Sequence, residues 1–220
     1  MQMIPTRIFF EKTGRAKYTS HLDTMRTMTR AFKRSRLPLW YTEGFNPHLY
    51  CTFALPIALG YESLCETVDV RLTEPVGFDE VARRLSASLP PGLRAVRAAA
   101  PVMDAVEIAW ADYSVTLRYD KDAARLVPKL DELLAQPAIE VVKRTKKGER
   151  SVDIRPHVNL LDREAAANGL RLTLRTAAGN TLNINPTLLL REFYSFSGAE
   201  PAGMRIVRTS ITNKNGEVFL

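Results

Sequence analysis

The spacing of apolar residues over the first hundred positions predicts a short run of alternating strands and helices. Residues 6–12 (TRIFFEK) are dense in β-branched and aromatic side chains and stop before Gly14, the pattern of a strand and turn. Ser20 offers a helix N-cap with Asp23 three residues on, so a helix is expected from His21. Leu22, Met25, Met28, Thr29 and Phe32 recur at spacings of three and four, a stripe that should face the core, and Pro38 ends it. After a loop through Trp40 and Gly44, residues 49–55 and 67–72 read as strands joined by a connection with Pro56, Gly60 and Ser63. Strict alternation in 67–72 leaves that strand one wet face. Residues 78–89 present Phe78, Val81, Ala82, Leu85 and Leu89 on one helical side, Pro90-Pro91-Gly92 closes them, and residues 93–99 make a fourth strand.

The order β-α-β-β-α-β is the split βαβ, or ferredoxin-like, arrangement, an antiparallel sheet with two helices on one face and the other face open. Residues 101–107 read as a linker. Beyond them come a strand at 112–119 and a helix at 122–135 that presents Leu126, Leu130 and Leu133 or Leu134. Strands at 139–144 and 151–155 flank the turn 146–149, strands at 169–176 and 181–184 flank 178–180, Pro186 opens a short helix to 193, and residues 204–212 close as a strand. The fold expected is α+β: two ferredoxin-like units with antiparallel sheets, at 1–103 and 104–220, the second elaborated by extra strands around 158–175.

With 220 residues the chain can bury a core in each unit. Its 45% hydrophobic and 25% charged residues exclude a disordered, collagen-like or coiled-coil chain. No uncharged apolar run reaches the roughly 18 residues of a membrane span, and the start lacks a signal peptide's apolar stretch, so a cytoplasmic protein with no membrane partner is expected. Charge adds more. Residues 7–36 hold nine lysines and arginines against Glu11 and Asp23, which equals the whole chain's surplus of +7. A surplus gathered on one strand and one helix suggests an anionic partner.

Three clusters carry candidate chemistry. Arg26, Arg30, Lys33 and Arg34 project from one side of the first helix over about 12 Å, a spacing that suits phosphates along a nucleic-acid strand. Lys12 and Lys17 precede them as further anion contacts. The same cations also fit a solvated helix face without a ligand. The second cluster is the loop at 41–48 (YTEGFNPH), where Gly44 permits a positive φ and Asn46-Pro47 forces a turn. There Phe45 could stack on a base while Asn46 and His48 hydrogen-bond its edge, or Phe45 and Trp40 could plug the core. The third is the helix start at 18–23, a ready anion site where His21 and Asp23 could orient a substrate or move a proton, or Ser20 and Asp23 could serve as capping groups. The basic turn of Lys143, Arg144, Lys146, Lys147 and Arg150 adds to the electropositive surface or keeps a hairpin tip soluble.

Phosphate-loop, dinucleotide-binding and H-E-x-x-H signatures are absent, and no cofactor and no metal are expected. His48, Cys51 and Cys65 would alternate sides on a strand, which speaks against a metal site. The two cysteines read as reduced, buried thiols.

The segment RIFFEKTGRAKYTSHLDTMRTMTRAFKRSRLPL, with YTEGFNPH, FALPIALGYES and ETVDVRLTEPV after it, resembles the bacterial radical SAM-linked protein family, a domain of unknown function. That family occurs alone or joined to the C-terminus of a cobalamin-type radical SAM protein. Lys12, Gly14, His21, Asp23, Arg26, Glu43, Gly44, Phe45, Asn46 and Pro47 match its recurrent positions, whereas His48-Leu49 departs from the proline or basic residue that relatives commonly carry after Pro47. The resemblance implies no reaction of its own. It implies association with RNA or with a modifying enzyme, the radical chemistry belonging to the partner, and this chain has no C-x-x-x-C-x-x-C triad for an iron–sulfur cluster. The function expected is therefore an accessory RNA-binding protein that is not catalytic on its own. The rivals are a module that docks on a radical SAM enzyme and presents its substrate, and a metal-independent nuclease or transferase using His21, Asp23 and Glu43.

Overall fold

Alternation of side chains sets the strands of the first unit. In the computed structural model, which describes every residue except 1, 2, 121, 122, 146, 147 and 180 and gives only the backbone at 143–145, β1 covers Ile4–Lys12 and turns Ile8, Phe10 and Lys12 inward. Helix α1 (His21–Ser35) starts at the Ser20 cap, whose hydroxyl accepts from the Asp23 N–H at 3.1 Å, and ends at Arg36 in the left-handed region. Its buried face is Thr24, Met28, Ala31, Phe32 and Ser35, so the expected stripe is rotated and Leu22 is left exposed. Small residues at 24, 31 and 35 let the helix backbone lie close on the sheet.

Strand β2 is only Cys51–Phe53, while β3 runs Glu62–Leu72, starting five residues before the expected 67. Residues 62–66 extend the ladder because they pair with the end of β1, Lys12 facing Ser63. Helix α2 (Phe78–Ser88) buries Val81, Ala82 and Leu85 but exposes Phe78, which was expected inside. Strand β4 is Leu93–Ala99. The strand order in this unit is β4-β1-β3, with β2 on β3, and β1 pairs antiparallel with β3 and β4, as β2 does with β3. The first unit comprises Met1–Glu107, Arg208–Ser210 and Val218–Leu220, and its core gathers Ile8, Phe10, Met28, Phe32, Val68, Val70 and Leu85.

The second unit comprises Ile108–Val207 and Ile211–Glu217. Its strands are β5 (Ile108–Arg118), β6 (Glu140–Thr145), β7 (Gly148–Asp153), β8 (Val158–Ala166), β9 (Gly169–Ala177) and β10 (Gly203–Asn213), with α3 (Val127–Leu134) and α4 (Pro186–Ser197). The order is β10-β5-β9-β8, and β6-β7 form a separate two-stranded sheet. Two expectations are corrected here. Residues 181–184 form no strand: Ile184 is buried, donates its N–H to the Ala177 carbonyl and leads into Pro186. The partner of β9 is instead β8, across a two-residue turn after Ala166, so the insertion is the β6-β7 hairpin and 158–177 is the main sheet. The start of the expected helix at Asp122 and the turn residues Lys146, Lys147 and Asn180 lie outside the described residues, as do the side chains of Lys143 and Arg144. The chain is thus a mixed α+β protein with antiparallel strand pairing. Among the described residues, no helix is long and apolar enough to cross a membrane.

Candidate nucleic-acid interface

The outer side of α1 keeps its cations in water. Arg26, Arg30, Lys33 and Arg34 are all exposed. At about 100° per residue, Arg26, Arg30 and Lys33 fall within an arc of about 60°. Arg26 pairs with Asp23 at 3.5 Å across one helical turn, an exposed contact of small energy. Arg34 leans the other way and donates to the Ser88 carbonyl at the end of α2 at 2.7 Å. Arg30 and Lys33 make no ion pair among the described residues. Arg84 reaches back to the Ser35 carbonyl at 2.9 Å and to the Arg36 carbonyl, satisfying acceptors that the end of α1 leaves open.

The loop at 41–48 is a built hairpin. The Trp40 N–H donates to the Arg71 carbonyl, the Thr42 N–H to the His48 carbonyl at 2.8 Å, and Tyr41 bridges Leu49. His48 is fixed locally, its N–H donating to the Thr42 hydroxyl at 3.1 Å and its Nδ1 lying 3.0 Å from the same oxygen. At the base, Arg71 stacks over Tyr50 and Trp40, 4.5 and 5.3 Å from the ring centroids. Trp40 thus belongs to the hairpin's footing. At the tip, Gly44 has φ of 119° and Phe45 is 100% exposed, flanked by exposed Glu43, Asn46 and Pro47. Phe45 plugs nothing. The returning strand brings Cys51 beside Thr29 of α1 and Phe53 beside His21, ring centroids 5.3 Å apart, so the hairpin and the helix share one flank of the unit.

The third cluster divides. Asp23 accepts from the Ser20 hydroxyl at 2.7 Å and completes the cap. His21 packs edge-on against Phe53. Glu43 stands on the hairpin beyond the Tyr41–Leu49 bridge, and among the described residues no hydrogen bond or ion pair joins it to His21 or Asp23.

Two of the expected anion contacts serve the interior instead. Lys12 is 2% exposed and donates to the Thr19 carbonyl at 2.8 Å; burial holds its pKa below the usual lysine range, opposed by the nearby Glu66 carboxylate. Lys17 sits 3.7 Å from the buried Glu62. Arg7, counted in the basic surplus, is also buried and makes a bidentate pair with Asp69 at 2.7 Å. The residues that sequence reasoning missed are Glu66 and Arg208, 3% and 1% exposed, joined in a buried ion pair that also takes the Leu55 carbonyl and the Ile57 N–H. The signal was available: Glu66 shares its parity with the inward Val68, Val70 and Leu72, as Lys12 does with Ile8 and Phe10. Cys51 and Cys65 are free and half-buried, with burial pushing both thiols up.

A family model described as an uncharacterized protein conserved in bacteria (DUF2344) matches residues 6–186. No curated protein matches. Among solved structures, the crystal structure of an unknown protein from Galdieria sulphuraria is similar at 15% identity, covering 96% of this chain and 99% of that one, with a TM-score of 0.29.

Proposed function

Since the chain belongs to that bacterial family of unknown function, we propose that it is an accessory protein that binds single-stranded RNA on its first unit, in association with radical SAM-type RNA modification. The reading takes each unit as ferredoxin-like, which the element order and the strand orders β4-β1-β3-β2 and β10-β5-β9-β8 support.

The observation that carries the proposal is Phe45, a fully exposed aromatic ring on a hairpin whose base is stacked on Arg71 and whose return strand borders the cationic flank of α1. An isolated exposed ring costs solvation with no packing in return, and stacking on a base is worth about 1–3 kcal/mol. Arg26, Arg30 and Lys33 supply phosphate contacts, each adding about 0.7 to the logarithmic salt slope for a single strand.

Fluorescence anisotropy with a labelled RNA dodecamer tests this. Phe45→Ala should weaken binding about 10- to 100-fold and leave the salt slope unchanged, whereas Arg30→Ala with Lys33→Ala should lower the slope by about 1.4. Salt-independent affinity, or a Phe45→Ala protein that binds as the parent does, would overturn the reading.

A second reading rests on Tyr18, Leu22 and Leu59, all exposed near the start of α1, where the Gly60 N–H donates to the Lys17 carbonyl. Such apolar side chains suit docking on a modifying enzyme. A complex with a radical SAM enzyme that survives nuclease and is lost in Leu22→Glu would favour it.

A further inference from the structure

The second unit sets two guanidinium groups and one hydroxyl along a single cleft, with a third arginine on the neighbouring strand. Along β5, Tyr113, Val115 and Leu117 are buried while Thr116 and Arg118 are exposed, so these two point away from the core. On β9, Arg171 is exposed between the buried Leu170 and Leu172 and sits directly opposite Thr116. On β10, Gly203, Met204 and Arg205 lie beside them, the Met204 sulfur also accepting from the Tyr194 hydroxyl of α4 at 3.6 Å. Thr116, Arg118, Gly203, Met204 and Arg205 line one shallow cleft of about 320 Å³.

Gly203 matters to this arrangement. A β-carbon there would stand 3.1 Å from a terminal nitrogen of Arg118, so the glycine gives that guanidinium a few tenths of an ångström more room against the strand. Arg118 makes no ion pair among the described residues. Arg171 pairs with Glu164 at 3.1 Å, but both are mostly exposed and such pairs are weak. Asp120, two residues beyond Arg118, lines a different cleft with Gly198–Glu200.

We propose that this face of the second unit is a phosphate site, in which Arg118, Arg171 and Arg205 bind the oxygens and the Thr116 hydroxyl donates a further hydrogen bond. Guanidinium forks match phosphate oxygens in geometry as well as charge, and two forks in the cleft with a third on the adjacent strand outnumber what a carboxylate could use. The site goes beyond the reading above, because it stands in the other unit and takes phosphate whether an RNA strand or a free phosphate compound carries it.

The test is a titration of the ¹⁵N-labelled full chain with inorganic phosphate. Amide shifts at Thr116 and Gly203 should saturate below concentrations on the order of 10 mM, and Arg118→Ala or Thr116→Val should weaken them about tenfold or more. Adding the RNA dodecamer separates the sources: displacement of phosphate from these amides assigns the site to a strand, and failure to displace assigns it to a free phosphate compound. Phe45→Ala should leave the phosphate shifts intact, so loss of RNA binding there touches only the first unit. Shifts that do not saturate, or that persist in Arg118→Ala, would overturn the site.

Discussion

Replacing Glu66 with glutamine keeps the side chain's shape and removes its charge. In the parent, the carboxylate faces the buried Arg208, accepts from the Ile57 N–H at 3.3 Å and holds down the field of the buried Lys12. After the change, two cations at 1% and 2% exposure lose this counter-charge. Removing one partner of a buried pair costs about 3–5 kcal/mol, which at an m-value of about 2 kcal/mol/M lowers the urea midpoint by roughly 2 M. Because the chain has two tryptophans, Trp40 in the first unit and Trp110 in the second, a Trp110→Phe background makes fluorescence report on the first unit alone. The companion variant removes both ions, Glu66→Leu with Arg208→Leu, and should recover at least half the loss, since apolar residues of similar volume often replace a buried pair at little cost. A Glu66→Gln protein within about 1 kcal/mol of the parent, or a double variant as unstable as the single one, would refute the argument.

Two further outcomes concern the second unit, read through Trp110 in a Trp40→Phe background. Asp153 accepts from the N–H groups of Ile139 and Arg155 at 2.8 and 2.9 Å, which holds its pKa below the ordinary carboxylate value. A depressed carboxylate lends stability that is fully present above its unfolded pKa and is lost as pH falls through the folded one, so acid unfolding of the parent should lose this contribution below about pH 4 and Asp153→Asn should not. Tyr119 is 6% exposed with a buried hydroxyl that finds no partner among the described residues, and burial pushes its pKa up to about 12. Tyr119→Phe should therefore raise stability by about 1 kcal/mol at neutral pH. It should also abolish the parent's loss of stability as pH climbs from about 10 toward 12, because the raised folded pKa stabilises only while the unfolded phenol stays protonated. A spectrophotometric phenol titration in which all seven tyrosines ionise together near pH 10 would contradict it.

Local signals carried most of the elements. Ser20 and Asp23 mark the start of α1, Pro186 that of α4, and Pro90-Pro91-Gly92 the end of α2. The strands were harder wherever partners distant in sequence decide their ends. Residues 49–55 read as a full strand, yet only Cys51–Phe53 pair, because Trp40 and Tyr50 turn to Arg71 and Leu55 gives its carbonyl to Arg208. The hairpin of β8 and β9 was missed although Asn168-Gly169 is a turn signal, since β8 is polar on both faces and shows little alternation. In the candidate site, exposure of Arg26, Arg30 and Lys33 followed from helical spacing. The burial of Lys12 and Arg7 did not follow from charge counting, because charge counts are blind to which face of a strand a residue occupies.

The assignment of Arg208–Ser210 to the first unit bears on how the protein is made. Glu66 leaves the ribosome 142 residues before the arginine that neutralises it, and the whole second unit up to Val207 is synthesised in between. During that interval the nascent first unit holds a carboxylate in its interior without the cation it needs; of the buried cations already made, Arg7 is taken by Asp69 and Lys12 lies near enough to answer it. Consolidation of the amino-terminal unit therefore waits on the carboxy-terminal strand, and a fragment cut at the linker would be released in that unfinished condition.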